Sequence, residues 1–183
     1  MKRRLFVGVL VPALKEKARE VKEEVRELQV EGKWVEPENL HFTLRFLGEV
    51  EEFKVSQIKQ SLKLKLKGAK SVPVRYKGLG VFPNGERPRV LWIGVESEGL
   101  SEIKRRVDQA LAPFGFTQEE SYTPHVTLLR IKKLRRRTKF KQLLFKLKEE
   151  LFLEQTETKV ALIESKLSSR GPTYTVLEEF KLD

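Results

Sequence analysis

Two histidines are all the chain has, and both stand in the same four-residue pattern, His41-Phe42-Thr43-Leu44 and His125-Val126-Thr127-Leu128. Imidazole, with an ordinary pKa of about 6.5, gives and takes protons near neutrality. If the two copies face each other across a cleft, one neutral imidazole can act as general base on water or a hydroxyl. The other, protonated, can act as general acid on a leaving oxygen. The hydroxyls of Thr43 and Thr127 can donate to the non-bridging oxygens of a phosphate as charge develops there. An acid and a base on opposite sides of one phosphorus suit in-line phosphoryl transfer. That chemistry requires no metal and no cofactor, and neither is expected. A zinc site would need a third ligand beyond the two histidines, and the chain has no cysteine to offer.

Each motif reads as a β-strand, in which alternate residues share a face about 6.5–7 Å apart. His41 and Thr43 then point one way and Phe42 and Leu44 the other, into a core. Phe46 and Arg130 occupy equivalent places five residues after their histidines. An aromatic ring there can stack on a base, and a guanidinium can fork a phosphate. Strict alternation puts both on the face away from the histidines, so a bulge or a strand end would be needed to bring them round. Without one, Phe46 belongs to the core.

The remaining elements follow from periodicity. Residues 3–11 are a β-branched apolar run, a buried strand. Leu14, Ala18, Val21, Val25 and Leu28 recur at helical spacing, predicting an amphipathic helix over 13–30 that ends at Gly32. A turn-rich approach at 34–39 leads into the first motif strand, 40–48. A helix is expected over 51–67, although Leu62-Lys63-Leu64-Lys65-Leu66-Lys67 alternates like a strand. Strands at 71–81 and 89–96 flank a Pro/Gly-rich loop, and a helix over 98–113 precedes the second motif strand, 125–130. Residues 131–139 are strongly basic. A helix over 140–151 and strands at 157–166 and 172–182 close the chain. The expected fold class is α+β: two pseudo-symmetric lobes of antiparallel sheet with outer helices around a central cleft, one two-lobed domain over 1–183.

The formal net charge of +11 favours an anionic partner, and nucleic acid leads because Lys and Arg release its counterions. The stretch from Lys132 to Lys139 can track a phosphate backbone or simply be a solvated loop. No run approaches the ~20 apolar residues of a membrane span, and no secretory leader pattern opens the chain, so a cytoplasmic protein that binds no membrane is expected. One Met, no Cys and a charged share of 34% suggest a heat-adapted source. Nothing in the motifs calls for a partner subunit, and a monomer is expected.

The paired motifs resemble those of the two-histidine phosphoesterase superfamily, and in particular its RNA 2',3'-cyclic phosphodiesterases, also called 2'-5' RNA ligases. The similarity runs through Arg4–Val9, through Pro37–Leu44 with Phe46-Leu47-Gly48-Glu49-Val50, through Phe82-Pro83 and Arg87–Trp92, through Pro124–Arg130 and through Ser165–Tyr174 with Gly171-Pro172. The resemblance implies a cleft between two lobes and an RNA end carrying a 2',3'-cyclic phosphate as partner, hydrolysed to a 2'-phosphate. It implies His41 as proton donor to the departing 3' oxygen and His125 as proton acceptor from water, with Thr43, Thr127 and Arg130 on the phosphate. The two motifs are too alike for sequence to assign those roles. It also places Tyr122, Tyr174 and Phe82 along the cleft. Two other readings stand beside it: a 2'-5' RNA ligase using the same site, and a non-catalytic RNA-binding module whose histidines only contact phosphate.

Overall fold

A computed structural model describes residues 1–117, 119 and 121–183. Among the described residues, nine strands form one antiparallel sheet and four α-helices pack against it. The strands are β1 (Lys2–Leu10), β2 (Val30–Trp34), β3 (His41–Glu51), β4 (Val72–Phe82), β5 (Val90–Glu96), β6 (His125–Leu134), β7 (Leu151–Glu157), β8 (Lys159–Ser168) and β9 (Gly171–Lys181). The helices are α1 (Lys15–Arg26), α2 (Glu52–Leu66), α3 (Leu100–Leu111) and α4 (Arg137–Leu147). The order β7-β4-β5-β6-β3-β1-β8-β9 splits at its centre, where β3 and β6 share the single register pair Phe42–Val126. On one side lie β3-β1-β8-β9 and on the other β6-β5-β4-β7, the same arrangement reflected about the two histidine strands. The α+β class and the two facing lobes are therefore present.

The lobes are not the two sequential halves of the chain. After α2 the chain leaves the His41 lobe for β4 in the other, and after β7 it returns to the His41 lobe as β8. Each lobe thus completes its sheet with strands from the far half of the sequence, which couples their folding. One apolar core runs beneath both lobes, taking in Phe42 and Leu44 from β3, Val126 and Leu128 from β6, Val21 and Val25 from α1, and Ile103 and Val107 from α3. β1 is buried from Leu5 to Val9 because it is central, flanked by β3 and β8.

Several element boundaries differ from the sequence reading. The first helix stops at Arg26, Gln29 adopts a left-handed φ of 55°, and Val30–Trp34 becomes β2 rather than helix and turn. β2 pairs with β6, and its Gly32 comes so close that a Cβ there would collide with the Arg130 carbonyl oxygen. The alternating end of α2 is helical: Ile58, Leu62 and Leu66 are buried at spacings of four, while Leu64 is left 71% exposed. The second motif strand runs on to Leu134, so the start of the basic stretch is strand. α4 ends at Leu147, and Leu151–Glu157 forms β7, an edge strand that short periodicity concealed. Among the described residues no helix is long and apolar enough to cross a membrane.

Candidate active site

The two motif strands lie side by side at the centre of the sheet, and a cleft of about 430 Å³ opens over them. His41, Thr43, His125 and Thr127 all line it. Their apolar neighbours Phe42, Leu44, Val126 and Leu128 are buried on the opposite face. The alternation read from sequence is therefore correct as far as the threonines.

Immediately after each threonine it breaks. Against β1, Gly8 pairs with Thr43 and Val7 with Arg45, leaving Leu44 as an extra residue. Against β5, Trp92 pairs with Thr127 and Leu91 with Leu129, leaving Leu128 as the extra residue. Each is a β-bulge, and each places two consecutive side chains in the interior: Leu44 and Arg45, Leu128 and Leu129. The next residue is thereby turned back onto the cleft face. Phe46, 58% exposed, and exposed Arg130 both line the cleft. Phe46 is not a core residue, and its ring lies 5.8 Å from that of Phe6.

The two imidazoles are held in the same way. His41 Nδ1 lies 2.7 Å from the Asn39 carbonyl oxygen, and His125 Nδ1 lies 2.9 Å from the Thr123 carbonyl oxygen. A carbonyl only accepts, so Nδ1 carries the hydrogen in both rings and Nε2 is the exchangeable position. In His41, Nε2 meets the Thr43 hydroxyl at 3.2 Å. Asn39 is buried and donates from Nδ2 to the Pro172 carbonyl at 2.9 Å, fixing the turn before β3 to the start of β9. Tyr174 stands edge-on to His41 with centroids 5.2 Å apart, and Phe82 edge-on to His125 at 5.0 Å.

Burial lowers the pKa of His41 below its ordinary 6.5. The Asn39 carbonyl opposes the shift by favouring the cation, whereas His125 and Arg130 repel it. At the inner wall of the cleft, Arg45 points inward from the bulge and donates to the Thr117 carbonyl and, at 3.3 Å, to Asp108. Lys104 bridges Asp108 at 2.9 Å and Glu119 at 2.8 Å, and its ammonium lies 4.9 Å from the Tyr122 ring centre. The Tyr122 hydroxyl donates to the Thr43 carbonyl at 3.0 Å. This network ties the segment that leads into His125 to the strand that carries His41.

Of the residues expected along the cleft, Tyr122 and Tyr174 line it, while Phe82 backs His125. The basic stretch does not reach it. Arg135 pairs with Glu31 at 3.2 Å and Arg137 donates to the Glu86 carbonyl at 3.1 Å. Sequence reading missed Asn39, Arg45, Lys33 and Arg170. Arg45 carried a signal in retrospect, as a charged residue in a run whose bulge makes it face inward. Lys33 and Arg170 had none beyond charge. Among the described residues no three His, Cys, Asp or Glu side chains converge as a metal-ligand set.

Comparison with known proteins finds relatives along nearly the whole chain. A model of the LigT-like phosphoesterase family matches twice, over residues 7–92 and 93–174, one histidine motif in each. An RNA 2',3'-cyclic phosphodiesterase of Aquifex aeolicus is 44% identical over 98% of this chain and 97% of its own. One of Methanothermobacter thermautotrophicus is 36% identical, with 100% of both chains covered. A crystal structure of a Thermus thermophilus protein superposes with a TM-score of 0.83 at 30% identity, covering 98% of this chain and 97% of that one. On the two matches, the relatives and the shared architecture, the chain belongs to the LigT-like phosphoesterase family.

Proposed function

We propose that the protein hydrolyses the 2',3'-cyclic phosphate at an RNA end, leaving a 2'-phosphate. The observation that carries the reading is the matched pair of imidazoles: each is locked by an Nδ1–H to a carbonyl two residues back, and each belongs to one cleft. The names of the curated relatives support the enzyme class and the substrate. The chain acts as a single two-lobed unit, with the reacting phosphate between the lobes.

In this reading His125 Nε2 takes a proton from water as it attacks phosphorus, and His41 Nε2–H gives a proton to the departing 3' oxygen. Thr43 and Thr127 donate to the non-bridging oxygens, and Arg130 offsets their charge. Phe46, exposed beside Phe6, offers a face to the terminal base. Burial leaves His41 neutral over a wider pH range in the free protein, so the proton it donates is taken up from solvent as the anionic substrate binds. An anionic phosphate beside the ring raises the pKa that burial, His125 and Arg130 have lowered. The deciding experiment incubates the protein with a short RNA ending in a 2',3'-cyclic phosphate, in the presence of EDTA, and identifies the product. A 2'-phosphate is expected. A 3'-phosphate would reverse the leaving-group assignment, and an intact cyclic end would sink the enzymatic reading.

A further inference from the structure

Three cations converge on one side of the cleft without carboxylate partners. Lys33 on β2 lies opposite Arg130 on β6 in the ladder register, a like-charge pair that repels itself. Lys33 also reaches across to the other lobe. A Cβ built on Gly171 would sit 3.1 Å from Lys33 Cε and 3.2 Å from its Nζ. The ammonium therefore rests against the first residue of β9, beside Arg170. Arg170 is held at the hairpin tip, where its backbone N–H meets the Ser168 hydroxyl at 3.3 Å. Lys33, Arg130 and Arg170 all line the cleft, and among the described residues none of them is ion-paired. Two carboxylates share the cleft wall. Glu119 is engaged by Lys104 at 2.8 Å and Arg45 at 3.7 Å. Glu36 stands at the rim, too little to balance three cations.

Exposed arginines elsewhere either have a carboxylate within reach, as Arg19, Arg105 and Arg135 do, or stand apart on the outer surface, as Arg4 and Arg26 do; Lys33, Arg130 and Arg170 line one cleft. An uncompensated trio that includes two cations brought together from different lobes is the electrostatic form of an anion site. One anion is the reacting phosphate, which Arg130 serves. Lys33 and Arg170 are then left for a second. An RNA strand supplies one, because the ribose carrying the cyclic end is joined through its 5' oxygen to the next phosphate. A cyclic mononucleotide lacks that group.

We propose that Lys33 and Arg170 form a subsite for this second phosphate, so that the cleft selects the end of an RNA strand over a free cyclic nucleotide. The proposal rests on the phosphodiesterase reading above. The strand enters between β2 and the β8–β9 hairpin, and the basic stretch 132–139, outside the cleft, takes no part.

The test measures kcat/KM for a trinucleotide with a 2',3'-cyclic end and for the matching cyclic mononucleotide, in the wild type and in Lys33→Ala/Arg170→Ala. The trinucleotide-to-mononucleotide ratio should fall about tenfold in the double variant. The slope of log kcat/KM for the trinucleotide against log salt should lose about 0.7 for each phosphate contact removed. Lys33→Arg should keep the ratio, and so should Lys139→Ala, on the basic stretch. An unchanged ratio in the double variant overturns the subsite, including the case in which both substrates suffer alike. If the wild type processes both substrates with equal efficiency, the phosphodiesterase reading stands and the subsite falls. If it processes neither, the reading beneath the proposal has failed.

Discussion

His41 and His125 occupy the same backbone device in two different surroundings. Each begins a central strand, each bonds through Nδ1 to a carbonyl two residues earlier, and each precedes a bulge centred on a leucine. Beyond the backbone they diverge. His41 packs 4.9 Å from Phe6 and has the Thr43 hydroxyl on its Nε2, and burial lowers its pKa. His125 has Phe82 edge-on and Trp92 at 6.4 Å. After the bulges, the His41 strand presents Phe46 and the His125 strand Arg130. The repeated backbone sets where the groups stand, and burial among the side chains around His41 lowers its pKa. In the proposed reaction one imidazole must carry the proton while the other lacks it, and unlike surroundings let the two differ.

The largest effects test the shared part. Replacing His41 or His125 by alanine should each lower kcat for a cyclic-ended RNA by about a hundred- to ten-thousand-fold. The double variant should be little worse than the poorer single one, because the pair acts as a unit. If one single variant keeps nearly full activity in single-turnover assays, the symmetry is structural only. Thr43→Val and Thr127→Val come next, each expected to lower kcat about a hundredfold with little change in KM, as for donors aimed at developing charge.

How far the sequence reaches follows the same line between backbone and surroundings. The histidine strands, the faces of His41, Thr43, Phe42 and Leu44, and the α+β class were legible because each rests on a local period. Phe46 and Arg130 were legible as candidates, but their faces were not. A bulge is decided by the partner strand, here by Gly8, whose missing Cβ would lie 2.7 Å from the Phe42 carbonyl oxygen. β2 was hidden because Val30-Glu31-Gly32-Lys33-Trp34 buries only Val30 and Trp34, and those only in part, and exists through pairing with β6. β7 is an edge strand of mixed character. Lys33 and Arg170 are distant in sequence, and only the crossing of β8 and β9 into the His41 lobe brings them together.

A smaller effect sharpens the contrast between the two imidazoles. If His41 is the acid, kcat/KM falls as pH rises through its pKa in the free protein. That limb should lie below 6.5, because burial lowers the pKa. In kcat the limb should move to higher pH, since bound phosphate favours the imidazolium. Arg130→Gln removes a positive charge that repels a protonated His41, so the kcat/KM limb should also move up in that variant. A limb that stays put in Arg130→Gln would separate the guanidinium from the His41 proton. If the acidic limb moves instead, His41 is the base and the assignment of roles reverses.

The smallest effect concerns what holds the two regions in register. Tyr122 lies just before His125 in the chain, yet its hydroxyl donates to the carbonyl of Thr43 on the other motif strand. Tyr122→Phe leaves that carbonyl without this donor while keeping the ring over Lys104. A net cost of about 0.5–1.5 kcal/mol is expected from one such bond, read as a lower urea midpoint at unchanged m-value. The Thr43 carbonyl belongs to the bulge that aims Phe46, so kcat should fall a few-fold as well, with no change in the pH limb of His41. If stability falls and kcat does not, Arg45 alone holds the strands in register through Asp108 and the Thr117 carbonyl. Arg45→Met would then lower kcat where Tyr122→Phe did not, and the catalytic pair would owe its alignment to the one buried cation that the bulge turns inward.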